Sequence, residues 1–137
     1  NSNIQLDDGD IWVNGTSNST AAYKFASNGH FHSNGDVIAY SSTLTASDKR
    51  LKENVKPIEN ALDKVSKIGG YEFDWNNNQA SYEGHDIGVI AQEIESVFPE
   101  LVQTRDNGYK AVKYEKLTAV LLQAIKELKS EIKELKK

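Results

Sequence analysis

The chain has 137 residues, enough for one ordinary domain or for a small domain with an appendage. A net charge of −4 argues against a general nucleic-acid binder, which would need a basic face, and the lack of cysteine removes disulfide frameworks and thiolate metal sites. No apolar run has the length of a membrane span and no signal peptide is recognised; the absence of methionine leads us to expect a piece of a longer, cytosolically folded chain.

Charge divides the chain unevenly. Residues 1–46 hold Asp7, Asp8, Asp10 and Asp36 against Lys24 alone, whereas residues 47–137 hold 16 acids and 15 bases. The first half is rich in Ser, Asn and Gly and reads as short strands broken by turns. In DGDIWVNG (8–15), Ile11 and Val13 share one face and Trp12 takes the other. YKFASNGHFHSNGDVIAYSS (23–42) repeats an apolar or aromatic pair followed by Ser-Asn-Gly, and the Asn-Gly pairs at 28–29 and 34–35 suit tight turns with positive φ. Each strand offers only two or three large apolar groups, too few to bury a core alone. Ile11, Trp12, Val13, Tyr23, Phe25, Phe31, Val37, Ile38 and Tyr40 are nevertheless too many for a disordered tail. A strip that needs identical neighbours satisfies both observations.

Two groups in this half invite a metal reading. His30 and His32 lie on one face of a strand, and three chains around an axis would present six imidazoles, suitable for octahedral coordination. Nothing in the sequence supplies partners for the remaining ring nitrogens, so no metal is expected there. Asp7, Asp8 and Asp10 lack the glycine and the distal glutamate of a calcium loop. No cofactor is expected anywhere in the chain.

The second half has an α+β pattern. In KPIENALDKVSKIGG (56–70), Ile58, Leu62, Val65 and Ile68 recur at helical spacing, with Pro57 near the start and Gly69-Gly70 as the stop. YEFDW (71–75) alternates Tyr71, Phe73 and Trp75 with Glu72 and Asp74, as a half-buried strand does. His85 falls in what reads as a loop. DIGVIAQEIESVFPELV (86–102) places Ile90, Ile94, Val97 and Phe98 on one helical face until Pro99 ends it, and GYKAVKY (108–114) suits a short strand.

The tail, about 115–137, is a helix. With Thr118, Ile125 and Ile132 at a, the d positions are Leu121, Leu128 and Leu135, and Glu131 at g faces Lys136 at the next e of a parallel neighbour. Leu117, Val120 and Leu122 widen the apolar face over 118–124, so that part also suits packing on its own domain. Beyond Ala124 the stripe narrows to a and d alone, which favours self-association through Leu121, Ile125, Leu128, Ile132 and Leu135. Ile at a with Leu at d would by itself suggest a dimer rather than a trimer, so the tail does not fix the number of chains.

Between the halves stands SDKRLKEN (47–54). With GDVIAYSS (35–42) before it, and GVIAQEIESVFPELV (88–102) and VKYEKLTAVLLQAIKELK (112–129) after it, this stretch resembles the peptidase S74 family. Those are the C-terminal intramolecular chaperone domains of phage tail spikes and tail fibres. FASNGHFHSNGDVIAYSS looks like the end of a triple-stranded β fibre stem. The resemblance implies a stem over 1–46 and a chaperone domain over 47–137 that trimerises, templates the stem and cuts itself off before the motif serine. That serine is Ser47, the bond is Ala46–Ser47, the lysine is Lys52, and Asp48 and Arg50 complete the motif. It further implies action in the host cytoplasm during assembly, a virion fibre or spike as destination, and a host surface receptor as a partner of the stem.

The chemistry is intelligible from the residues. Attack by Ser47 Oγ on the adjacent Ala46 carbonyl gives an ester that water hydrolyses, and proximity supplies much of the rate. A lysine serves as base when burial or a nearby cation disfavours its charge, and Lys49 and Arg50 are such cations in sequence. Positions five apart lie about 140° apart on an α-helix and on opposite faces of a strand. The pair therefore needs a bend, or a lysine from a neighbouring protomer. Without cleavage the same residues read as a cap, Ser47 or Asp48 holding a turn in a trimerisation module or a receptor-binding fibre tip.

Overall fold

The computed structural model describes residues 5–7, 10–13, 23–25, 29–33 and 35–137. The chain divides into two units, one over residues 1–47 with 79–81, the other over 48–78 with 82–137.

In the first unit four strands form an antiparallel meander: β1 (Gln5–Asp7), β2 (Asp10–Val13), β3 (Tyr23–Phe25) and β4 (Phe31–Ser33). Its register pairs Leu6 with Ile11, Ile11 with Phe25, and Phe25 with Phe31, so apolar positions line up across the sheet. Gly29, in the β3–β4 connection, has φ +85°, the positive value expected of the Asn-Gly pair at 28–29. Asn28, Asn34 and Asp8 lie outside the described residues. From Asp36 to Ala46 the chain has no regular structure, and Val37, Ile38, Tyr40 and Leu44 are all exposed.

The second unit is mixed α/β. It contains α1 (Ala61–Val65), the hairpin β5 (Tyr71–Asp74) and β6 (His85–Gly88), α2 (Ala91–Val97), the hairpin β7 (Val102–Thr104) and β8 (Lys110–Val112), and the long α3 (Leu117–Leu135). The core is Ile94, Phe98, Leu101, Leu117 and Val120, with Ile58, Val65, Ile68, Val89, Val97, Val102 and Val112 packed against it. α2 supplies Ile94, the Pro99–Leu101 turn supplies Leu101, and α3 supplies Leu117 and Val120. α1 packs on α3, where Ala61 and Ala124 are both buried and allow close approach. Among the described residues no helix is long and apolar enough to cross a membrane.

Three expectations change in detail. The helix read over 56–70 shrinks to five residues because Asn60 sits at φ 53°, outside the right-handed helical region, and delays the start until Ala61. The stretch from Asp86 begins as strand β6 and becomes helical only at Ala91. His85 consequently lies in a strand rather than a loop, paired with Asp74.

Asn60 makes no side-chain cap, and the open end of α1 is closed from elsewhere. The Glu127 carboxylate, on α3, accepts from the Ala61 amide at 3.2 Å and the Leu62 amide at 2.7 Å. Glu93 plays a similar part, accepting from the Gly69 amide and the Tyr71 hydroxyl, and its carboxylate holds the Tyr71 phenol above its ordinary pKa. At Gly88 an added Cβ would lie 2.6 Å from the Tyr114 hydroxyl, which accepts from the Val89 amide. If Glu127 caps α1 as described, Glu127→Ala loses about 0.5–2 kcal/mol in urea denaturation at fixed protein concentration. A variant as stable as the wild type would show that the cap carries no energy.

Candidate functional site

The chain crosses from Ser47 into the second unit through a single 3₁₀ turn, Lys49–Leu51. Ala46 and Ser47 are exposed and lie in irregular chain. Asp48 is extended (φ −63°, ψ 132°) and is the N-cap of the turn. Its Oδ1 accepts from the Arg50 amide at 2.8 Å and from Arg50 Nε at 3.1 Å, while Oδ2 accepts from Arg50 Nη2 at 2.9 Å. The backbone closes through Leu51 N–H to Asp48 O and Lys52 N–H to Lys49 O, both at 3.1 Å. Lys52 returns to extended geometry (φ −124°, ψ 144°) and is exposed. Of the two capping candidates, Asp48 is therefore the one that caps the turn.

Between positions 47 and 52 the chain is neither a straight α-helix nor a strand, so the geometric objection drawn from those two conformations does not apply to this stretch. The fork between Asp48 and Arg50 is wet, with the Arg50 side chain 88% exposed, so its contribution is local order rather than stability. The hydrogen bonds from the Arg50 side chain, then its amide, hold the Asp48 carboxyl below its ordinary pKa, and Asp48 raises the guanidinium in turn.

The expected self-association stripe is well defined. Leu121, Ile125, Leu128, Ile132 and Leu135 are between 44% and 85% exposed on the single chain. The buried face of the same helix is Leu117, Val120 and Ala124, with the half-buried Glu127 continuing it. At 100° per residue the two faces are centred roughly 80° apart. Leu122 falls on neither buried position and is exposed.

Elsewhere, His85 Nδ1 lies 3.1 Å from Asp74 Oδ1 and Nε2 lies 3.7 Å from Glu72 Oε1, so its neighbours are the facing strand's carboxylates. Asp86 accepts from its neighbour Ile87's amide and from the Trp75 indole, and these bonds lower its pKa. Trp75 also stacks on Tyr82. The His30 and His32 rings are 5.9 Å apart; among the described residues no group of three or more potential ligands is placed to hold a metal. Sequence reasoning missed Glu93 and Glu127. Glu127 left a signal, as an acid continuing the 117, 120, 124 spacing that packs inward.

Residues 47–103 match the peptidase S74 family model, described as chaperone of endosialidase. Over these residues the chain is similar to the chaperone-of-endosialidase family. It is also similar to long tail fiber protein Gp37 of Salmonella phage S16, with 38% identity over 125 residues, 85% of this chain and 17% of that protein. The same protein of Enterobacteria phage K3 is 37% identical over 116 residues, 74% of this chain and 9% of the relative. That of Enterobacteria phage Ox2 is 34% identical over 122 residues, 85% of this chain and 48% of the relative. The chain thus spans half the length of these relatives or less.

The cap makes a pH prediction. Because the folded Asp48 pKa is depressed, its contribution is complete above the ordinary aspartate value of about 3.9 and is lost only as pH falls through the lower folded value. Carboxyl-carbon NMR should place its midpoint below that of a model peptide, with the turn unchanged near neutral pH. A midpoint at or above the peptide value would contradict the fork.

Proposed function

We propose that this chain is the self-releasing intramolecular chaperone of a phage tail fibre, joined to the end of the stem it helps to fold. Residues 1–46 are the stem end, and residues 47–137 trimerise, align three stems and then detach by cutting Ala46–Ser47. The observation that carries the reading is the position of SDKRLK: the family match begins at Ser47, at the exposed entry to a capped turn. Its destination is the tail fibre of a virion, as the relatives' names suggest.

Association follows from the exposed stripe on α3. Burying a fully exposed aliphatic side chain is worth about 1.5–3 kcal/mol; Leu121, Ile125, Leu128, Ile132 and Leu135 are already partly covered, so burying what remains exposed brings about 4–9 kcal/mol per chain. That falls within the range of about 4–15 kcal/mol that association costs. Aligned chains then raise one another's local concentration and fix the register of the stem strands, which otherwise slip and pair slowly.

In the cut, Ser47 Oγ bonds to the Ala46 carbonyl carbon while Lys52 Nζ takes the hydroxyl proton. The carbon–nitrogen bond between Ala46 and Ser47 breaks, and the proton passes to the departing Ser47 nitrogen. Water then hydrolyses the ester, leaving an Ala46 carboxylate and a free Ser47 amino group with its hydroxyl restored. A lysine becomes a base once its charge is disfavoured by its surroundings. Lys52 is exposed in the single chain, so the burial it needs comes with association, whether it acts in its own chain or across to a neighbour. Cutting is thereby made to wait for assembly.

Intact-mass analysis of the chain, extended upstream into the stem, tests the cut. The wild type yields a product beginning at Ser47 and Ser47→Ala yields none. A single uncut mass for both would leave a non-cleaving trimerisation module or receptor-binding tip. Sedimentation equilibrium tests the stripe: Leu128→Ser with Ile132→Ser shifts the trimer toward monomer, and an undiminished trimer would remove α3 from the interface.

A further inference from the structure

We propose that Asp48 is a positioning residue for the cut at Ala46–Ser47, holding the turn that separates the serine from the lysine and carrying no proton itself. The inference rests on the cleavage reading above and assigns one motif residue a role within it. A carboxylate beside a serine invites the opposite assignment, as general base or as third member of a triad. Its contacts argue against that. Oδ1 already accepts two hydrogen bonds and Oδ2 a third, all from Arg50, so both oxygens are turned onto the turn and engaged there. A base must have an oxygen within reach of the proton it takes. The depressed pKa points the same way, since a carboxylate held in its ionised form is a poor proton acceptor.

What the three bonds accomplish is geometric. A three-residue 3₁₀ segment has only two backbone bonds of its own, Leu51 to Asp48 and Lys52 to Lys49. None of its residues is buried, so no packing holds it either. The Asp48 carboxylate adds a third backbone bond through the Arg50 amide and pins the Arg50 side chain back along the turn. Arg50 is then committed to Asp48. The direction in which Lys52 leaves the turn, relative to the Ala46–Ser47 bond one residue before Asp48, depends on this closure. Misplacement of reacting groups by about 1 Å costs about 100-fold in rate.

The test is a time course of cutting by intact mass after dilution of the stem-extended chain from denaturant, repeated from mildly acid to mildly alkaline pH. Asp48→Ala should cut about 10- to 100-fold more slowly than the wild type. Asp48→Asn, which keeps the acceptor for the Arg50 amide but loses the ion pair, should fall between them. Both should keep the wild type's pH dependence, and amide exchange at Leu51 and Lys52 should quicken in Asp48→Ala. Cutting at the wild-type rate in Asp48→Ala, or unchanged exchange, would overturn the positioning role. Slow cutting with a displaced or abolished pH dependence would also overturn it, by making Asp48 a proton carrier. A wild type that is never cut would instead sink the cleavage reading on which the inference stands.

Discussion

The helix α3 has to satisfy two apolar faces at once, and the second unit is organised around that demand. One face, Leu117, Val120 and Ala124, closes the core with Ile94, Phe98 and Leu101. The other, from Leu121 to Leu135, has no counterpart in the unit and stays in water on the single chain. A small domain cannot cover both, because its apolar supply is spent on the first. Glu127 ties the two requirements together by extending the inner face with a carboxylate that closes α1.

The seam uses a different economy. Residues 47–52 have no buried side chain, and the turn among them is held by two backbone hydrogen bonds together with one carboxylate and one guanidinium. An exposed, locally ordered connection between a strand-rich stretch and a packed domain is where a chain can be opened without loss of either core. The proposed release takes advantage of this. In that proposal, folding information resides in the associated domain, and after release only the stem's own contacts hold it. Such a product would be protected by the height of its unfolding barrier rather than by its ability to refold.

Much of this was legible in the residues, and the departures have physical causes. The α+β pattern, strand β5, the stop at Pro99 and the two-faced tail follow from periodicity and breakers, which are local signals. The length of α1 was not legible because it turns on the backbone of Asn60 and on Glu127, 67 positions away in sequence. β6 was hidden inside an apolar run that also has helical spacing; its partner β5 decides the matter through pairing that only the fold supplies. The β7–β8 hairpin was half legible. Asn107-Gly108, with Gly108 at φ +85°, is the same turn signal that marked the first half, and the Tyr109 amide donates to Asn107 Oδ1 there. At the seam, spacing alone gave only a requirement for a bend; the capping residue emerged from the hydrogen bonds of Asp48.

The most direct test of the central claim, that the domain at 47–137 carries the information for folding the stem, is a refolding comparison. The stem-extended chain would be prepared uncut, as Ser47→Ala, and as the released stem alone. Both would be denatured and returned to native conditions, and the yield of native stem trimer measured. The account predicts recovery for the uncut chain and failure for the released stem. Equal recovery by the two would contradict it, since the stem would then need no template.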